Sequence, residues 1–222
     1  MKIVTTSDTH EKHGGLIVPD GDVFIHAGDF TMIGEPERIS AFNVWLGRLP
    51  HKHKIVIAGN HDRTLDSEGC SHEELRDFGQ SRITNAIYLC HSGVEIDGKK
   101  FWGSPYTPWF GDYWKFSYDR VVQGFWDTIP KKLDVLITHG PPMKHLDRTL
   151  EGEYAGCYDL FRVIRDMHET DDQPRYHIFG HIHEGYGIDE RAADSGRTVM
   201  MNVSAVDRQY RLRENPCVVF EV

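Results

Sequence analysis

The segment at residues 54–63, KIVIAGNHDR, constrains the fold more than any other part of this chain. Its first half predicts a buried β-strand at residues 54–58, which ends at a glycine. Asn60, His61 and Asp62 follow directly, so the strand presents polar side chains at its carboxyl end. Ligands of open α/β sheets bind outside the carboxyl ends of the strands. We therefore interpret these three residues as part of a functional site.

Four more predicted strands end in the same manner. They lie at residues 2–6, 23–26, 134–138 and 175–179, and an acid or a histidine closely follows each of them. Between the second and third strands of the chain, Pro36 and apolar residues at helical spacing predict a helix packed on a sheet. A strand, a helix and a further strand in this order predict parallel pairing. We interpret the polar residues that follow the five strands as parts of one site.

The rest of the chain predicts shorter elements. Asp97 and Gly98 form a dipeptide that favours a tight hairpin turn. Asp119 is expected as the N-cap of a helix that continues to Trp126. The other expected elements are helices at residues 73–78 and 157–168 and β-strands at residues 86–89, 94–96, 100–103, 199–203 and 217–222.

Composition restricts the classes of partner. The 222 residues suit one domain, residues 1–222, and the net charge of −9 without a basic run argues against a stable complex with nucleic acid or an anionic membrane. The four cysteines form no CxxC pair, which favours the reduced state. The first strand begins almost at Met1, and no apolar run reaches the roughly 18 residues of a membrane span. We expect a cytoplasmic protein, and its oligomeric state stays open.

The strand ends carry seven candidate metal ligands once His61 is set aside. Each offers an imidazole, a carboxylate or an amide oxygen, a set that suits Mn, with Fe, Zn or Co as alternatives. Seven ligands exceed the roughly three that a catalytic zinc takes from protein, but they fit two divalent ions about 3.5 to 4 Å apart that share a carboxylate. The seven are Asp8, His10, Asp29, Asn60, His139, His181 and His183.

The charge of such a site would attract a phosphate group. Two divalent ions bring a charge of about +4, while Asp8, Asp29 and a hydroxide that bridges the ions return about −3. The site therefore stays cationic within an acidic chain. Two ions at this spacing also clamp the attacking and leaving oxygens of an in-line displacement at phosphorus.

The motifs DTH, GD, GNHD, THG and GHIH, in this order between Asp8 and His183, resemble the calcineurin-like metallophosphoesterase superfamily. The segments HAGDFT, FWGSPYTPWF, THGPP, FGHIHEGYG and NPCVVFEV are similar to its subgroup of metallophosphoesterase-domain-containing proteins. The resemblance implies an α/β fold, a four-layer α/β/β/α sandwich of two mixed β-sheets flanked by helices. It also implies hydrolysis of small-molecule phosphodiesters, cyclic nucleotides first among them, by in-line attack of a metal-bridging hydroxide.

The same resemblance divides the ligands between two metal ions. The first set it implies is Asp8, His10, Asp29 and His183, and the second is Asp29, Asn60, His139 and His181. Asp29 is then the bridge. His61 is implied to contact the phosphoryl group and to protonate the leaving oxygen, a task for which the ordinary pKa range of histidine is suited. His61 and Asn60 form the expected catalytic pair.

The aromatic segment at residues 101–118 has two interpretations. Nine of its eighteen residues are aromatic and two are proline, so we expect a shaped loop over or beside the site. The aromatic side chains either pack the loop or form a platform for a nucleobase, since a base stacked on an aromatic ring contributes about 1 to 3 kcal/mol. Trp109, Phe110 and Trp114 are the candidate substrate-binding residues, and Trp102 is a fourth candidate for the same test.

Other polar residues have simpler interpretations. Asp62 either orients a ligand or is a turn acid, and His26 is expected in a buried strand rather than as a ligand. Asn202 begins a glycosylation sequon that, without a secretory route, we interpret as a strand and turn near the site. The remaining histidines are expected at the surface or in loops: His13, His51, His53, His72, His91, His145, His168 and His177.

Three functions stay open on this reasoning. The first is the two-metal phosphodiesterase acting on nucleotides or other small molecules. The second is a phosphomonoesterase or protein phosphatase of the same superfamily, but DFTMIG follows Gly28 where the phosphatase element G-D-x-V-D-R-G would place an arginine. The third is a non-catalytic scaffold on the same fold, which the retention of His61 and all seven ligand positions disfavours.

Overall fold

Two mixed β-sheets lie face to face in the computed structural model, which describes residues 1–119, 124–189 and 198–222. The first sheet has the spatial order β13 (Val218–Glu221), β1 (Lys2–Thr6), β2 (Val23–Ala27), β3 (His53–Ile57) and β4 (Ile87–Tyr88). The second has the order β11 (Gly187–Asp189), β12 (Val199–Asn202), β10 (Tyr176–Phe179), β9 (Val135–Thr138), β6 (Lys99–Ser104) and β5 (Ser92–Ile96). A separate parallel pair is formed by β7 (Thr107–Pro108) and β8 (Ser117–Tyr118).

The inner strands of each sheet run parallel. In the first sheet β1, β2, β3 and β4 pair in parallel, and in the second β6, β9, β10 and β12 do so. Antiparallel pairing adds β13 to β1, β5 to β6 and β11 to β12. The carboxyl ends of the parallel strands therefore lie along one edge of each sheet.

Side-chain alternation along the strands produces the layers. In β1, Ile3 is buried between the two sheets, whereas Val4 packs on the outer side with Phe42 of α1 (Pro36–Arg48). In β9, Ile137 is buried between the sheets and Leu136 packs on the outer side with α3 (Tyr158–Glu169). The helix α2 (His72–Arg82) joins α1 on the first sheet. The predicted four-layer α/β/β/α sandwich is confirmed.

The second helix is longer than the sequence predicts. We expected a helix at residues 73–78, whereas α2 continues to Arg82. It begins with a capping box in which the Ser71 hydroxyl accepts the N–H of Glu74 and the Glu74 carboxylate accepts the N–H of Ser71. Within α2 the buried residues are Leu75 and Gly79, so the apolar period is too sparse to reveal the full length from the sequence.

The helix predicted between Asp119 and Trp126 is only partly testable, because residues 120–123 lie outside the described residues. In the described part, Gly124 has a φ of 83° and precedes a 3₁₀ helix at Phe125–Thr128. A left-handed residue cannot continue an α-helix, so the predicted helix does not extend through Trp126. The hairpin at Asp97 and Gly98 is confirmed, since this pair joins the antiparallel strands β5 and β6.

Three histidines that we expected at the surface or in loops are buried. The exposed fractions are 8% for His13, 2% for His51 and 0% for His177. His177 lies in β10, where its Nε2 is 2.7 Å from the Thr138 hydroxyl, which itself donates to a backbone carbonyl. A neutral imidazole with a hydrogen-bond partner can be buried, which is why the prediction was wrong here. His26 is buried in β2, as expected.

The cysteines are free thiols: Cys70, Cys90, Cys157 and Cys217. The described part of the chain contains no helix that is both long enough and apolar enough to cross a lipid bilayer.

Candidate metal centre

The polar side chains predicted to converge are all placed by loops that leave the carboxyl ends of parallel strands. Asp8 and His10 follow β1, Asp29 follows β2, and Asn60 follows β3 in the first sheet. The second sheet contributes the loops after β9 and β10, which carry the remaining histidines, His139, His181 and His183. The candidate site therefore lies where the two sheets meet.

A short backbone connection joins the sheets at this point. Ser7 and Ser204 form an isolated parallel bridge in which the N–H of Ser7 donates to the carbonyl of Val203 (3.0 Å) and the N–H of Ala205 donates to Ser7 (2.7 Å). Ser204 belongs to the sequon that starts at Asn202, the last residue of β12, and its hydroxyl donates to Asp8, so the sequon lies beside the site, as the sequence predicts. Ser204 itself is in the bridge rather than in the predicted turn.

The backbone is strained at four of the candidate ligands. Their φ angles are positive: 50° at Asp8, 39° at His10, 55° at Asp29 and 67° at His181. Residues other than glycine rarely adopt this conformation, and such strain concentrates at functional sites. The strain indicates that the surrounding structure holds these side chains in place against a local preference.

Two glycines allow the loops to approach each other closely. A Cβ at Gly59 would lie 2.6 Å from Cε1 of His139 and would also overlap the Asp29 carboxylate. A Cβ at Gly180 would overlap the side chains of Ser7 and Asp8. Both positions therefore require glycine for the site to close.

Asp29 lies at the centre of the cluster. Its Oδ1 accepts the backbone N–H of His61 at 2.8 Å, which leaves Oδ2 to face the imidazoles. Oδ2 lies 3.2 Å from Nε2 of His139 and 4.0 Å from Nε2 of both His10 and His61. One carboxylate oxygen thus lies between three imidazole rings.

Asp8 occupies the other side of the cluster. Its Oδ1 lies 3.5 Å from Nε2 of His183, and that nitrogen lies 3.4 Å from Nε2 of His10. Its Oδ2 accepts hydrogen bonds from the hydroxyls of Ser7 and Ser204, the latter at 2.8 Å. The backbone N–H of His181 also lies 3.1 Å from both oxygens. Hydrogen bonds to both oxygens therefore fix the orientation of the Asp8 carboxylate.

Backbone carbonyls orient three of the imidazole rings. The Nδ1 atoms of His10, His139 and His61 lie 3.2, 3.0 and 2.6 Å from the carbonyl oxygens of Thr31, Ala27 and Met32, respectively. Carbonyl oxygens only accept, so each Nδ1 carries the proton and each Nε2 faces the cluster. This is the arrangement by which proteins orient histidines that bind metal through Nε2.

The donor atoms fit divalent cations. Three groups have ligand atoms within 4.8 Å of one another: Asp8, His10 and His183; His10, Asp29 and His61; and Asp29, His139 and His181. Asn60 belongs to the third region, because its Oδ1 lies 3.0 Å from Nε2 of His139. The nitrogen and oxygen donors, with no cysteine in these groups of described residues, suit first-row transition metals.

The charges of the cluster shift its pKa values strongly. Burial alone raises the pKa of Asp29, but the adjacent His139 and His61 outweigh it and hold that pKa far below its usual range. Burial alone lowers the pKa of His139, but the charge of Asp29 raises it to about 9. The electrostatics of the cluster therefore favour a positive charge next to Nε2 of His139.

Asp62 orients the loops around the site. Its carboxylate accepts the N–H of Gly59 (2.9 Å) and both the N–H (2.9 Å) and the hydroxyl (2.7 Å) of Thr31. These bonds tie the loop after β3 to the loop after β2. Burial, together with the charge of Asp29, raises the pKa of Asp62 to about 7. Of its two interpretations, the structure supports the orienting residue.

A pocket of about 240 Å³ opens above the cluster. Its floor is Asp29, Asn60 and the histidines His61, His181 and His183, and its walls are Phe110, Trp114, Glu184, Arg208 and Tyr210. Trp114 packs on the ring of His61 (centroids 4.3 Å apart) and Phe110 on that of His181 (5.1 Å). The aromatic segment therefore lies beside the site, as predicted.

The other two candidates from the aromatic segment lie elsewhere. Trp109 is outside the pocket lining, and its indole N–H donates to Asp112 at 3.1 Å. Trp102 is 4% exposed and packs in the core beneath α3. The sequence does not separate these tryptophans from Trp114, because the register of an irregular loop is set by tertiary packing.

Sequence reasoning missed Glu184, Arg208 and Tyr210. The first follows directly on a predicted ligand, and the other two lie in the segment DRQYRLR at residues 207–213. A group of three arginines in a chain with a net charge of −9 was the available signal. These residues lie beyond the last motif of the superfamily, so motif matching does not find them.

Comparison with known proteins identifies a family match. The sequence model of the family described as "Calcineurin-like phosphoesterase" matches residues 1–185. Human metallophosphoesterase domain-containing protein 1 is 40% identical over 237 residues, covering 98% of this chain and 70% of the human protein. The UPF0046 protein K07C11.7 of Caenorhabditis elegans is 38% identical, covering 99% of this chain and 75% of that protein.

Solved structures share the fold at low sequence identity. The structure of TT1561 from Thermus thermophilus is 14% identical with a TM-score of 0.55, covering 96% of each chain. Another crystal structure is 16% identical with a TM-score of 0.62, covering 91% of this chain and 90% of the other. At these identities the likeness supports the fold alone.

Proposed function

The chain belongs to the calcineurin-like phosphoesterase family, and from that premise we propose that it hydrolyses phosphodiester bonds of small molecules. Nucleotides, including cyclic nucleotides, are the proposed substrate class. We propose further that it acts in the cytoplasm, which the four free cysteines support, and without a stable complex with nucleic acid or a membrane.

The observation that carries this proposal is the position of Asp29 Oδ2. It lies between the Nε2 atoms of His10, His61 and His139 at 3.2 to 4.0 Å, and its partner oxygen is held by a backbone N–H. A carboxylate oxygen in this position can be shared by two cations. Four of the candidate ligands also have positive φ angles, a form of backbone strain that functional sites often retain.

The proposed metal content is two divalent ions, with Mn as the first candidate and Fe, Zn or Co as alternatives. One ion would be held by Asp8, His10, Asp29 and His183, and the other by Asp29, Asn60, His139 and His181. When bound, such ions supply positive charge to the phosphoryl oxygens and raise the acidity of water. The hydrogen bonds from Ser204 to Asp8 and from His61 to Asp29 keep both carboxylates in position.

His61 is the proposed proton donor to the leaving oxygen. Its Nδ1–H is engaged with the Met32 carbonyl at 2.6 Å, so proton exchange takes place at Nε2, which faces Asp29 and the pocket. Trp114 packs on the ring and limits its movement. A positioned general acid of this kind contributes about 10² to 10⁴ in rate.

The pocket supports a small substrate. A space of about 240 Å³ admits a nucleotide-sized fragment, and the aromatic rings of Phe110 and Trp114 offer a flat apolar wall next to the histidines. A nucleobase can stack there while its phosphate lies over the floor. The assembled site also supports an enzyme over a non-catalytic scaffold.

The test is turnover by protein stripped of metal with a chelator and reloaded with one metal at a time. Bis(p-nitrophenyl) phosphate, p-nitrophenyl phosphate and 3′,5′-cyclic AMP represent a diester, a monoester and a cyclic nucleotide. We expect no turnover without metal, and faster turnover with Mn than with Mg, which prefers oxygen ligands. Full turnover in metal-free protein contradicts the proposal, and a preference for the monoester favours the phosphomonoesterase or protein phosphatase alternative.

A further inference from the structure

One wall of the pocket is built by a segment that lies outside the family match. Residues 207–213, which we name the arginine loop, follow the second sheet and precede β13. Arg208 and Tyr210 from this loop line the pocket together with the aromatic wall and the histidine floor. The loop is therefore a part of the site that the seven candidate ligands do not explain.

Hydrogen bonds and an ion pair hold the base of the arginine loop. The Asp207 carboxylate accepts the backbone N–H groups of Gln209 (2.9 Å) and Arg211 (3.0 Å) and pairs with the Arg211 guanidinium at 2.7 Å. Arg213 donates from Nη2 to the carbonyl of His183 at 2.8 Å. The loop is thus fastened to the backbone of a candidate metal ligand.

The three arginines of the loop differ in their partners. Arg211 pairs with Asp207, and Arg213 binds the backbone of His183 and lies 4.7 Å from the ring centroid of Tyr186. Arg208 is exposed, and within the described ranges of the chain it forms no ion pair or hydrogen bond. Its charge is free to bind a ligand in the pocket.

Tyr210 fixes the loop against the metal side of the pocket. Its ring centroid lies 4.8 Å from that of His10 and 5.4 Å from that of His183. The residue has a φ of 57°, an unfavourable angle that the surrounding bonds of the loop maintain. The arginine loop therefore packs, through Tyr210, on two of the candidate ligands, His10 and His183.

The charge at the mouth of the pocket is divided between two side chains. Arg208 and Glu184 both line it, and they do not form an ion pair with each other. Among the described lining residues, Arg208 is the only lysine or arginine. In a chain with a net charge of −9, an arginine without an ion pair in a pocket lining can attract an anion to that pocket.

We propose that Arg208 is a substrate-binding residue that pairs with a phosphoryl oxygen of the substrate. The inference rests on the proposed function and extends it, because it assigns to the arginine loop the recognition of the phosphodiester charge. The aromatic wall then contacts the base, and Glu184 disfavours substrates that carry additional negative charge near the mouth.

The test compares single-charge variants in Mn-loaded protein. Arg208→Gln should raise KM about tenfold for both bis(p-nitrophenyl) phosphate and 3′,5′-cyclic AMP, with kcat changed less, because the contact is to the phosphate that both share. Arg208→Lys should recover part of the loss. Glu184→Gln should lower KM about two- to threefold. Arg165→Gln on α3 removes the same charge away from the pocket and should change neither constant.

A direct binding measurement separates the contact from the chemistry. In a His61→Ala background, calorimetric titration with 3′,5′-cyclic AMP should show about tenfold weaker binding after Arg208→Gln, at unchanged metal content and thermal denaturation midpoint. The salt dependence of binding should also decrease. If Arg208→Gln turns over substrate with unchanged KM and Kd, this inference is wrong while the proposed function stands. Absence of diester turnover by the wild-type protein with every metal overturns the proposed function, and this inference with it.

Discussion

The backbone N–H of His61 donates a 2.8 Å hydrogen bond to Oδ1 of Asp29. This bond connects the loop after β3 with the loop after β2, and it leaves Oδ2 as the oxygen that faces the imidazole rings. His61 therefore has two separable roles. Its backbone orients Asp29, and its ring faces the pocket. A change of the side chain at position 61 leaves the backbone bond in place.

The first prediction follows from this separation. His61→Ala should lower kcat for bis(p-nitrophenyl) phosphate by roughly 10² to 10⁴, because it removes the proton donor, while metal content stays near two ions per chain. Asp29→Ala should lose both rate and metal, because it removes the shared carboxylate. Metal content is measured on the purified variants by elemental analysis. Equal metal loss in both variants would show that His61 is a ligand.

The second prediction concerns a hydroxyl that holds Asp8. The Ser204 side chain donates to Oδ2 of Asp8 at 2.8 Å, so Ser204→Ala should weaken Mn binding about tenfold to a hundredfold. Turnover at saturating Mn should stay close to that of the wild type, since the hydroxyl orients a ligand and does not touch substrate. The measurement is activity against free Mn concentration.

A matched control is available on the surface. Ser40→Ala removes an exposed hydroxyl that donates to the Pro36 carbonyl within α1, outside the candidate ligands and the pocket lining. It should leave the Mn titration unchanged. An unchanged titration in Ser204→Ala as well would contradict the proposed orientation of Asp8.

The third prediction concerns the different roles of the aromatic residues Phe110 and Trp114 in substrate binding. Phe110→Ala should raise KM for a cyclic nucleotide about tenfold or more, since the loss of about 1.4 kcal/mol of stacking changes an equilibrium tenfold, and it should affect a diester without a base less. Trp114→Ala should do the same and also lower kcat, because Trp114 packs on His61. Steady-state kinetics with both substrates is the measurement.

Trp109 supplies the control for this comparison. It comes from the same segment and is 49% exposed, but it lies outside the pocket lining. Trp109→Ala should change KM little for either substrate. If all three variants keep the wild-type melting temperature and treat the two substrates alike, the aromatic wall is structural.

The fourth prediction concerns acid stability. Burial lowers the pKa of His177 from 6.5 to about 3, so the folded protein keeps this imidazole neutral while the unfolded chain takes up a proton below pH 6.5. The unfolded state then binds more protons, and stability falls as the pH falls. The contribution of His177 to the free energy of unfolding is fully present above pH 6.5 and is lost progressively toward pH 3. Each such group contributes about 1.4 kcal/mol per pH unit.

Urea unfolding of the metal-free protein at several pH values provides the measurement. Between about pH 6 and pH 4, the free energy of unfolding should decline less steeply in His177→Gln than in the wild type, by about 1.4 kcal/mol per pH unit. The amide of glutamine keeps a donor for the Thr138 hydroxyl. Identical slopes would mean that His177 does not contribute to the pH dependence.

Much of the fold was predictable because strand and helix periods are local properties. The apolar runs around Ile3, Ile55 and Ile137 are buried strands, and the positions of their polar successors at one sheet edge follow from parallel pairing. The second sheet and the four layers were predicted from the resemblance that the ordered motifs carry. The structure brings all seven candidate ligands together, and their division between two metals stays a prediction.

The parts that could not be predicted depend on tertiary packing. The burial of His177 in β10 and the exposure of Trp109 depend on contacts between distant segments, and neither has a local sequence pattern. Within the described part of the chain Arg208 has no ion pair, whereas Asp207 pairs with Arg211. The sequence alone does not indicate which of these two arginines pairs with Asp207. The positive φ angles at Asp8 and Asp29 likewise follow from closure of the whole site.

The bond between Ser204 and Asp8 joins residues 196 positions apart, and this separation governs when the site can form during synthesis. At a translation rate of about 5 to 20 residues per second, Asp8 waits about 10 to 40 s after its own synthesis before Ser204 is made. Until then Asp8 lacks one of the two hydroxyls that orient its Oδ2, although all seven candidate ligands have already been made. The candidate site therefore gains its full set of hydrogen bonds only after β12, the last strand of the second sheet along the chain, has been made.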